Sequence, residues 1–272
     1  MTMPCLDLCA WCLLGKAPEL TMGTYLWPVL FTIFAWWFGT GVILFLNQRA
    51  PATYQGTFWL SGCVMLFAIV GIKTSSSMDT VAAAYCGFTC ALLVWAWQEI
   101  GFLLGFITGP RRLPCPPEAR GWKKAGYAFQ TIQHHELALV VLAIVVTVAS
   151  WGGINQTAFW TFMILWIMRQ SAKLNLFFGV LNLNENFLPN HLKYIHSYFS
   201  RSLMNPLLPI SVILATIVAI PIWQAALAVG ASPFQVTSCT ILGTLLSLAI
   251  LEHILMVLPI SSEGLWRWSF RA

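Results

Sequence analysis

Long apolar stretches separated by short polar segments make up almost the whole chain. A membrane-spanning helix needs about 20 mostly apolar residues. Seven stretches are candidates, at about residues 24–46, 57–72, 80–108, 137–151 with a polar lead-in, 157–168 and somewhat beyond, 207–229 and 233–259. The pattern predicts an all-α fold, a polytopic membrane helix bundle with about seven transmembrane helices.

Composition and charge support the same class of protein. Of the 272 residues, 58% are hydrophobic and 8% are charged, whereas a soluble domain carries about 25% charged residues. Lys and Arg are concentrated in the loops on one side of the seven spans, which predicts an N-terminus outside the cell and a cytoplasmic C-terminus. The net charge of +5 is thus a topology signal. Because no loop combines a long basic patch with interleaved aromatic residues, we expect no nucleic-acid partner.

The first residues differ from the rest of the chain. Residues 1–23 lack the pattern of a cleavable signal peptide and predict a short interfacial segment, and 24–272 predict a single transmembrane helical domain. Cys5, Cys9 and Cys12 are spaced closely enough to bind a metal ion or to pair after oxidation. The Leu and Trp residues around them favour the simpler interpretation of buried thiols in an interfacial helix.

Ionisable residues are rare inside the predicted spans, and they lie at a similar depth. Such groups are costly in a bilayer, so they usually face the protein interior and have partners. Glu99, for example, lies roughly 13 Å inside the third span, at 1.5 Å per residue. The alternating direction of the spans brings the whole set to the cytoplasmic half, which predicts a shared polar site. Its members are Glu99, His134, His135, Glu136, Arg169, Lys173, Glu252 and His253.

Two interpretations of these residues stay open. Mixed His and carboxylate ligands suit iron, manganese or zinc, so the metal-ligand candidates are Glu99, His134, His135, Glu136, Glu252 and His253. Adjacent histidines point about 100° apart on a helix, however, so a metal ion would need ligands from several helices. The alternative is a structural polar network that also includes Gln133, Arg169, Lys173, Asn175, Asn182 and His191. In it, the two cations either snorkel to the headgroups or pair with Glu99, Glu136 or Glu252.

Four sequence blocks stand out in combination: residues 24–41, 133–138, 173–182 together with 187–194, and 251–259. Within about residues 24–270, these blocks resemble the PuhE family, the photosynthetic complex assembly proteins of phototrophic bacteria. The residues matched to its motifs are His134, His135, Glu136, Asn175, Asn182, His191, Glu252 and His253. The resemblance implies a multi-pass protein of the bacterial inner, intracytoplasmic photosynthetic membrane, and it carries over no catalytic residue.

The resemblance leads to the first functional hypothesis. It implies an assembly factor or accessory subunit whose partners are membrane lipids and the reaction-centre and light-harvesting 1 subunits. Bacteriochlorophyll is then a candidate cofactor, because the neutral imidazoles of His134, His135 or His253 can ligate its magnesium. The alternative is an intramembrane metal-dependent enzyme that acts on a pigment or lipid through a divalent transition metal. A proton-coupled carrier is a third class, since buried Glu and His suit proton relays.

Overall fold

The structure, a computed structural model, describes residues 22–183, 188–259 and 262–270. The predicted N-terminal segment with Cys5, Cys9 and Cys12 lies outside these ranges. Within them the chain is helical, and it forms seven α-helices. These are α1 (Met22–Asn47), α2 (Tyr54–Ser76), α3 (Val81–Leu103), α4 (Gly121–Ser150), α5 (Thr157–Phe178), α6 (Leu207–Ala226) and α7 (Pro233–Leu255). Short 3₁₀ segments lie at Pro51–Thr53, Asn190–Tyr198 and Ser262–Phe270.

Six described helices are long and apolar enough to cross a membrane, which confirms a multi-pass membrane protein. Among the seven predicted spans, α5 is the exception, because its second half carries Arg169 and Lys173. Its contacts nevertheless extend along the bundle. Near its start, Thr157 Oγ1 and Ser238 Oγ are 2.8 Å apart, and towards its other end Arg169 contacts α3. Helix α5 therefore runs the length of the bundle between its neighbours.

The ends of α3 and α4 differ from the predicted boundaries. Helix α3 was expected to continue to residue 108 but ends at Leu103, and Gly105 just beyond it adopts a left-handed φ of 85°. Such a glycine commonly terminates a helix. Helix α4 begins at Gly121, well before the apolar run at Leu137, so the polar lead-in is itself helical. The polar residues before Leu137 therefore project from a regular helix that packs in the bundle.

Helices α3, α5 and α7 form the centre of the bundle. About two thirds (67%) of the most apolar stretch of α7 is buried, compared with 11% for α2. One buried apolar cluster joins α3 and α5 to α6 and α7, and a second joins α3 and α5 to α2 and α4. Because α3 and α5 belong to both clusters, polar groups on these two helices can contact partners on either side.

One end of the bundle is covered by the loop after α3 and by the 3₁₀ segment Asn190–Tyr198. The Tyr198 hydroxyl accepts a hydrogen bond from Arg111 Nε at 2.7 Å and donates one to the Leu113 carbonyl at 2.9 Å. The loop also packs against α4, where a Cβ atom on Gly109 would lie 1.8 Å from the Gln130 carbonyl oxygen. Only glycine fits at this close approach, so the loop after α3 packs directly against the backbone of α4.

Candidate functional site

Helices α3, α4, α5 and α7 bring charged side chains to the covered end of the bundle. We call this set, with its neutral polar neighbours, the polar layer. Its charged members are Glu99, Glu136, Arg169, Lys173 and Glu252. Its neutral members are Trp36, Gln98, His135, Gln170, Ser171, Asn175 and His253. Burial of an ion costs several kcal/mol unless a partner compensates it, so the partner of each charge decides what the layer can do.

The carboxylate of Glu136 is fully engaged. Lys173 Nζ lies 2.5 Å from its Oε1 atom, and Gln170 Nε2 donates to its Oε2 atom at 2.7 Å. The side chains of Lys173 and Glu136 are 22% and 17% exposed, so the pair is largely shielded from solvent. Glu136 therefore joins α4 to α5 through two hydrogen bonds, one of them charge-assisted.

A second ion pair joins α5 to α3. Arg169 Nη2 donates to Glu99 Oε2 at 3.0 Å, and Gln98 Nε2 donates to Glu99 Oε1 at 3.2 Å. The Glu99 side chain is 8% exposed, whereas that of Arg169 is 44% exposed. The two cations of α5 thus pair with carboxylates on two different helices. Of the two alternatives for these cations, pairing is the one that the structure shows.

The two buried histidines have different surroundings. His135 is 1% exposed and packs against the Phe102 ring at a centroid distance of 4.6 Å. Its Nδ1 atom has no hydrogen-bond partner among the described residues. His253 uses both ring nitrogens, since Nδ1 lies 2.9 Å from the Ala249 carbonyl and Nε2 lies 2.9 Å from Ser171 Oγ. A carbonyl can only accept, so in the neutral imidazole Nδ1 donates and Nε2 accepts. The lone pair of His253 is therefore occupied.

Other predicted site residues lie outside this network. Gln133 and His134 are exposed on the outer surface of α4, while the neighbouring His135 is buried. Asn182 donates from Nδ2 to the Leu255 carbonyl at 2.8 Å and so fastens the chain beyond α5 to the end of α7. His191 lies in the covering 3₁₀ segment, with its ring against Gly105. The predicted residues therefore lie in three places: the inner network, the outer surface of α4, and the segments that cover the end of the bundle.

Asn175 belongs to the inner network. Its side chain is fully buried, and its Nδ2 atom donates to the Ser171 carbonyl at 2.9 Å. The same Nδ2 atom lies 3.4 Å from Ser211 Oγ on α6, and the backbone carbonyl of Asn175 accepts from Asn205 Nδ2 at 3.3 Å, just before α6. This amide therefore has a structural role in joining the two helices.

His191 titrates outside the membrane-spanning helices. Partial burial lowers the pKa of its imidazole below the ordinary value of 6.5, and the positive charge of Arg112 acts in the same direction. The Leu103 carbonyl opposes this shift by stabilising the protonated ring. The net effect favours the neutral histidine in the folded protein.

Glu252 is the exception among the three carboxylates. It is exposed at the end of α7, and its one hydrogen bond is accepted by Oε1 from Trp36 Nε1 at 2.9 Å. Among the side chains that the structure describes it forms no ion pair, although the charges of Arg169 and Glu99 act on it electrostatically. We call Glu252 the open carboxylate, in contrast to the engaged Glu99 and Glu136.

The candidate metal ligands do not converge in the described part of the chain. No group of three or more His, Cys, Asp or Glu side chains there is arranged to hold a metal ion. Glu99 and Glu136 are engaged with cations, His134 faces outward, and His253 is hydrogen-bonded through both nitrogens. Metal binding stays an untested prediction, and the geometry favours the polar-network interpretation.

Sequence reasoning missed several members of the network. Gln98 and Gln170 adjoin charged residues inside otherwise apolar helices, a signal that could have identified both. Trp36 carries no such signal, because nothing in the sequence shows that its N–H reaches α7. At the other end of the bundle, an uncharged set was also missed, in which Asn155 Nδ2 donates to the Ser75 carbonyl at 3.1 Å.

Comparison with known proteins assigns the chain to a family. Residues 22–272 match the model of a protein family of unknown function, DUF3623, and the chain belongs to this family. It is similar to a protein from Rhodobacter capsulatus described as an uncharacterized 30.4 kDa protein in the puhA 5' region. The two are 37% identical over 243 residues, which cover 88% of each chain. No solved structure matches the chain.

Proposed function

We propose that this DUF3623 protein is an integral membrane assembly factor or accessory subunit for the bacterial photosynthetic complex of reaction centre and light-harvesting 1. The observation that carries the proposal is the Rhodobacter capsulatus relative, whose description places it in the puhA 5' region. The PuhE-like sequence blocks support the same setting. We further infer a location in the inner, intracytoplasmic photosynthetic membrane. In this topology α5 also crosses the membrane, which gives seven spans in all, the N-terminus is outside and the polar layer lies on the cytoplasmic side.

The geometry supports a binding role more than a catalytic one. The two ion pairs hold α5 to α3 and α4 at the covered end of the bundle. Apolar side chains such as Leu137 and Ile217 remain exposed along the outer faces of α4 and α6. A rigid bundle with broad apolar faces is suited to contact lipid and the transmembrane helices of partner subunits.

Within this role, we assign pigment contact to His134. Of the three candidate histidines, His135 is enclosed and His253 has both nitrogens occupied, whereas His134 is exposed on α4. Leu137 and Val141 follow His134 at helical spacing and are 61% and 50% exposed. A flat macrocycle can therefore lie on this face, with its magnesium ligated by the imidazole. The bound pigment would supply light absorption, and the helix would supply its position.

Copurification tests the assembly role. The full-length protein, tagged and expressed in a phototrophic host, is purified in mild detergent from cells that are assembling their photosynthetic membranes. We expect reaction-centre or light-harvesting subunits in the eluate, and none in a parallel purification of an unrelated tagged multi-pass protein. A chromosomal deletion should lower the amount of assembled complex. An unchanged amount, together with an eluate free of these subunits, would contradict the proposal.

The same preparation tests the two cofactor hypotheses. We expect bacteriochlorophyll absorbance in the wild type, its loss in His134→Ala and its retention in Gln133→Ala, which removes an equally outward neighbour. Absorbance that survives in His134→Ala would exclude the proposed ligand. Elemental analysis of the preparation decides the metal hypothesis: a stoichiometric transition metal that is lost in a folded Glu252→Ala variant would favour the enzyme alternative.

A further inference from the structure

The described part of the polar layer has an imbalance of charge. It contains three carboxylates, Glu99, Glu136 and Glu252, and two basic side chains, Arg169 and Lys173. Each cation is committed to one carboxylate, at 3.0 Å for Arg169 with Glu99 and at 2.5 Å for Lys173 with Glu136. The third carboxylate, Glu252, has only the neutral Trp36 N–H as a direct partner. An ionised group near the bilayer is costly without a compensating charge, so this position favours a ligand with one positive charge.

The surroundings of Glu252 are open and apolar. Leu251 and Ile254 share a face of α7, and Leu258 lies in the turn just after the helix; they are 47%, 38% and 37% exposed. We call these three residues the α7 stripe. On the inner side of the helix, His253 is buried against α5. The open carboxylate therefore borders an apolar surface that faces away from the bundle.

The charge balance and the local ligands narrow the identity of the occupant. A divalent ion would overcompensate a single carboxylate, and the described residues supply no group of three ligands for it. A zwitterionic lipid headgroup adds no net charge. Transmembrane helices, in contrast, carry Lys and Arg preferentially at their cytoplasmic ends. In the proposed topology this is the level of Glu252.

We propose that the α7 stripe binds a transmembrane helix of a partner polypeptide, and that Glu252 pairs with a Lys or Arg at the cytoplasmic end of that helix. The proposal rests on the proposed assembly function and gives the partner a defined chemistry. The apolar stripe contacts the body of the helix, and the ion pair sets its depth and selects its charge. The Trp36 N–H holds the Glu252 carboxylate towards the α1–α7 edge, where the partner's cation approaches.

A binding assay with designed helices tests the charge selection directly. The full-length protein is reconstituted in phosphatidylcholine nanodiscs and titrated with labelled single-span peptides. The peptides share one apolar core and carry Lys, Gln or Glu at the same terminal position. We expect the wild type to bind the Lys peptide about tenfold more tightly than the Gln peptide, as is typical of a close charge pair that is partly desolvated. Glu252→Gln, which keeps the shape and an acceptor for Trp36, should abolish this preference.

Two further variants complete the test. Glu252→Lys should reverse the preference, so that the Glu peptide binds most tightly. Gln133→Ala, an exposed polar residue on α4, should behave like the wild type. Equal affinities of the wild type for the Lys and Gln peptides would overturn the proposal, and so would a Lys preference that persists in Glu252→Gln. Loss of the preference when phosphatidylethanolamine replaces phosphatidylcholine would also overturn it, by identifying a lipid amine as the occupant.

The helix-binding site and the assembly function can be overturned independently of each other. If Glu252→Gln copurifies photosynthetic subunits as well as the wild type does, the helix site is wrong while the assembly function stands. If the wild type selects the Lys peptide but captures no photosynthetic subunit in cells, the helix site stands and the assembly function is wrong. Folding of each variant is checked by its elution as a monodisperse species and by its helical circular dichroism.

Discussion

Glu136 and Glu252 look equivalent in the sequence, since each adjoins a histidine near the predicted cytoplasmic end of an apolar stretch. In the structure they have opposite environments. Glu136 receives hydrogen bonds from Lys173 and Gln170, and its side chain is 17% exposed. Glu252 is exposed and receives a single bond from Trp36. Depth in the membrane therefore does not define the role of a carboxylate. The direction of its side chain separates a group that holds helices together from one that is free to bind a partner.

The largest expected effect comes from removal of the cation of the engaged pair. Lys173→Met leaves the Glu136 carboxylate largely buried with only Gln170 as a partner. Loss of one member of a buried ion pair costs about 3 kcal/mol or more. We expect a decrease of this size in the free energy of unfolding, measured by titration with denaturing detergent. The double variant Lys173→Met/Glu136→Gln should recover most of the loss, because no uncompensated charge remains. A double variant as unstable as the single one would show that packing, and not charge, explains the effect.

Glu99→Gln should have a smaller effect than Lys173→Met. The variant removes the charge opposite Arg169, but the Arg169 side chain is 44% exposed, so its guanidinium can regain hydration. The glutamine can also still accept a hydrogen bond from it. We therefore expect a cost of about 1 kcal/mol, near the upper end for exposed ion pairs. The same unfolding titration checks this value. A loss equal to that of Lys173→Met would mean that the Glu99–Arg169 pair is as well shielded from solvent as the Glu136–Lys173 pair.

Much of this arrangement could be predicted from sequence. The apolar stretches predict the helices, and the spacing of Arg169 and Lys173 predicts one cationic face on α5. The partner choices could not be predicted, because Glu99, Glu136 and Glu252 lie at similar depth and only the packing of α5 between α3 and α4 selects two of them. The end of α3 was also misjudged, since the apolar residues after Gly105 continue the hydrophobic pattern although the backbone turns there.

Glu252→Gln, in contrast to Lys173→Met, should leave the free energy of unfolding almost unchanged. Its carboxylate is exposed and forms no ion pair in the described part of the chain, so we expect a change within about 0.5 kcal/mol, as for other surface substitutions. The amide can still accept the Trp36 N–H. Unfolding titrations of this variant beside Lys173→Met measure the contrast directly. A destabilisation comparable with that of Lys173→Met would show that Glu252 is structurally engaged, and it would remove the basis for a partner at this site.

The smallest expected effect concerns the pH dependence of stability, and it comes from His191 in the 3₁₀ segment Asn190–Tyr198. Burial lowers the pKa of His191 in the folded protein below 6.5, so the unfolded chain binds this proton more readily. Stability contributed by the neutral ring is therefore present above pH 6.5 and is lost as the pH falls towards the folded pKa. We expect the unfolding midpoint to decrease slightly between pH 7.5 and pH 5.5, and His191→Gln to reduce this slope. An unchanged slope would exclude His191 as its source.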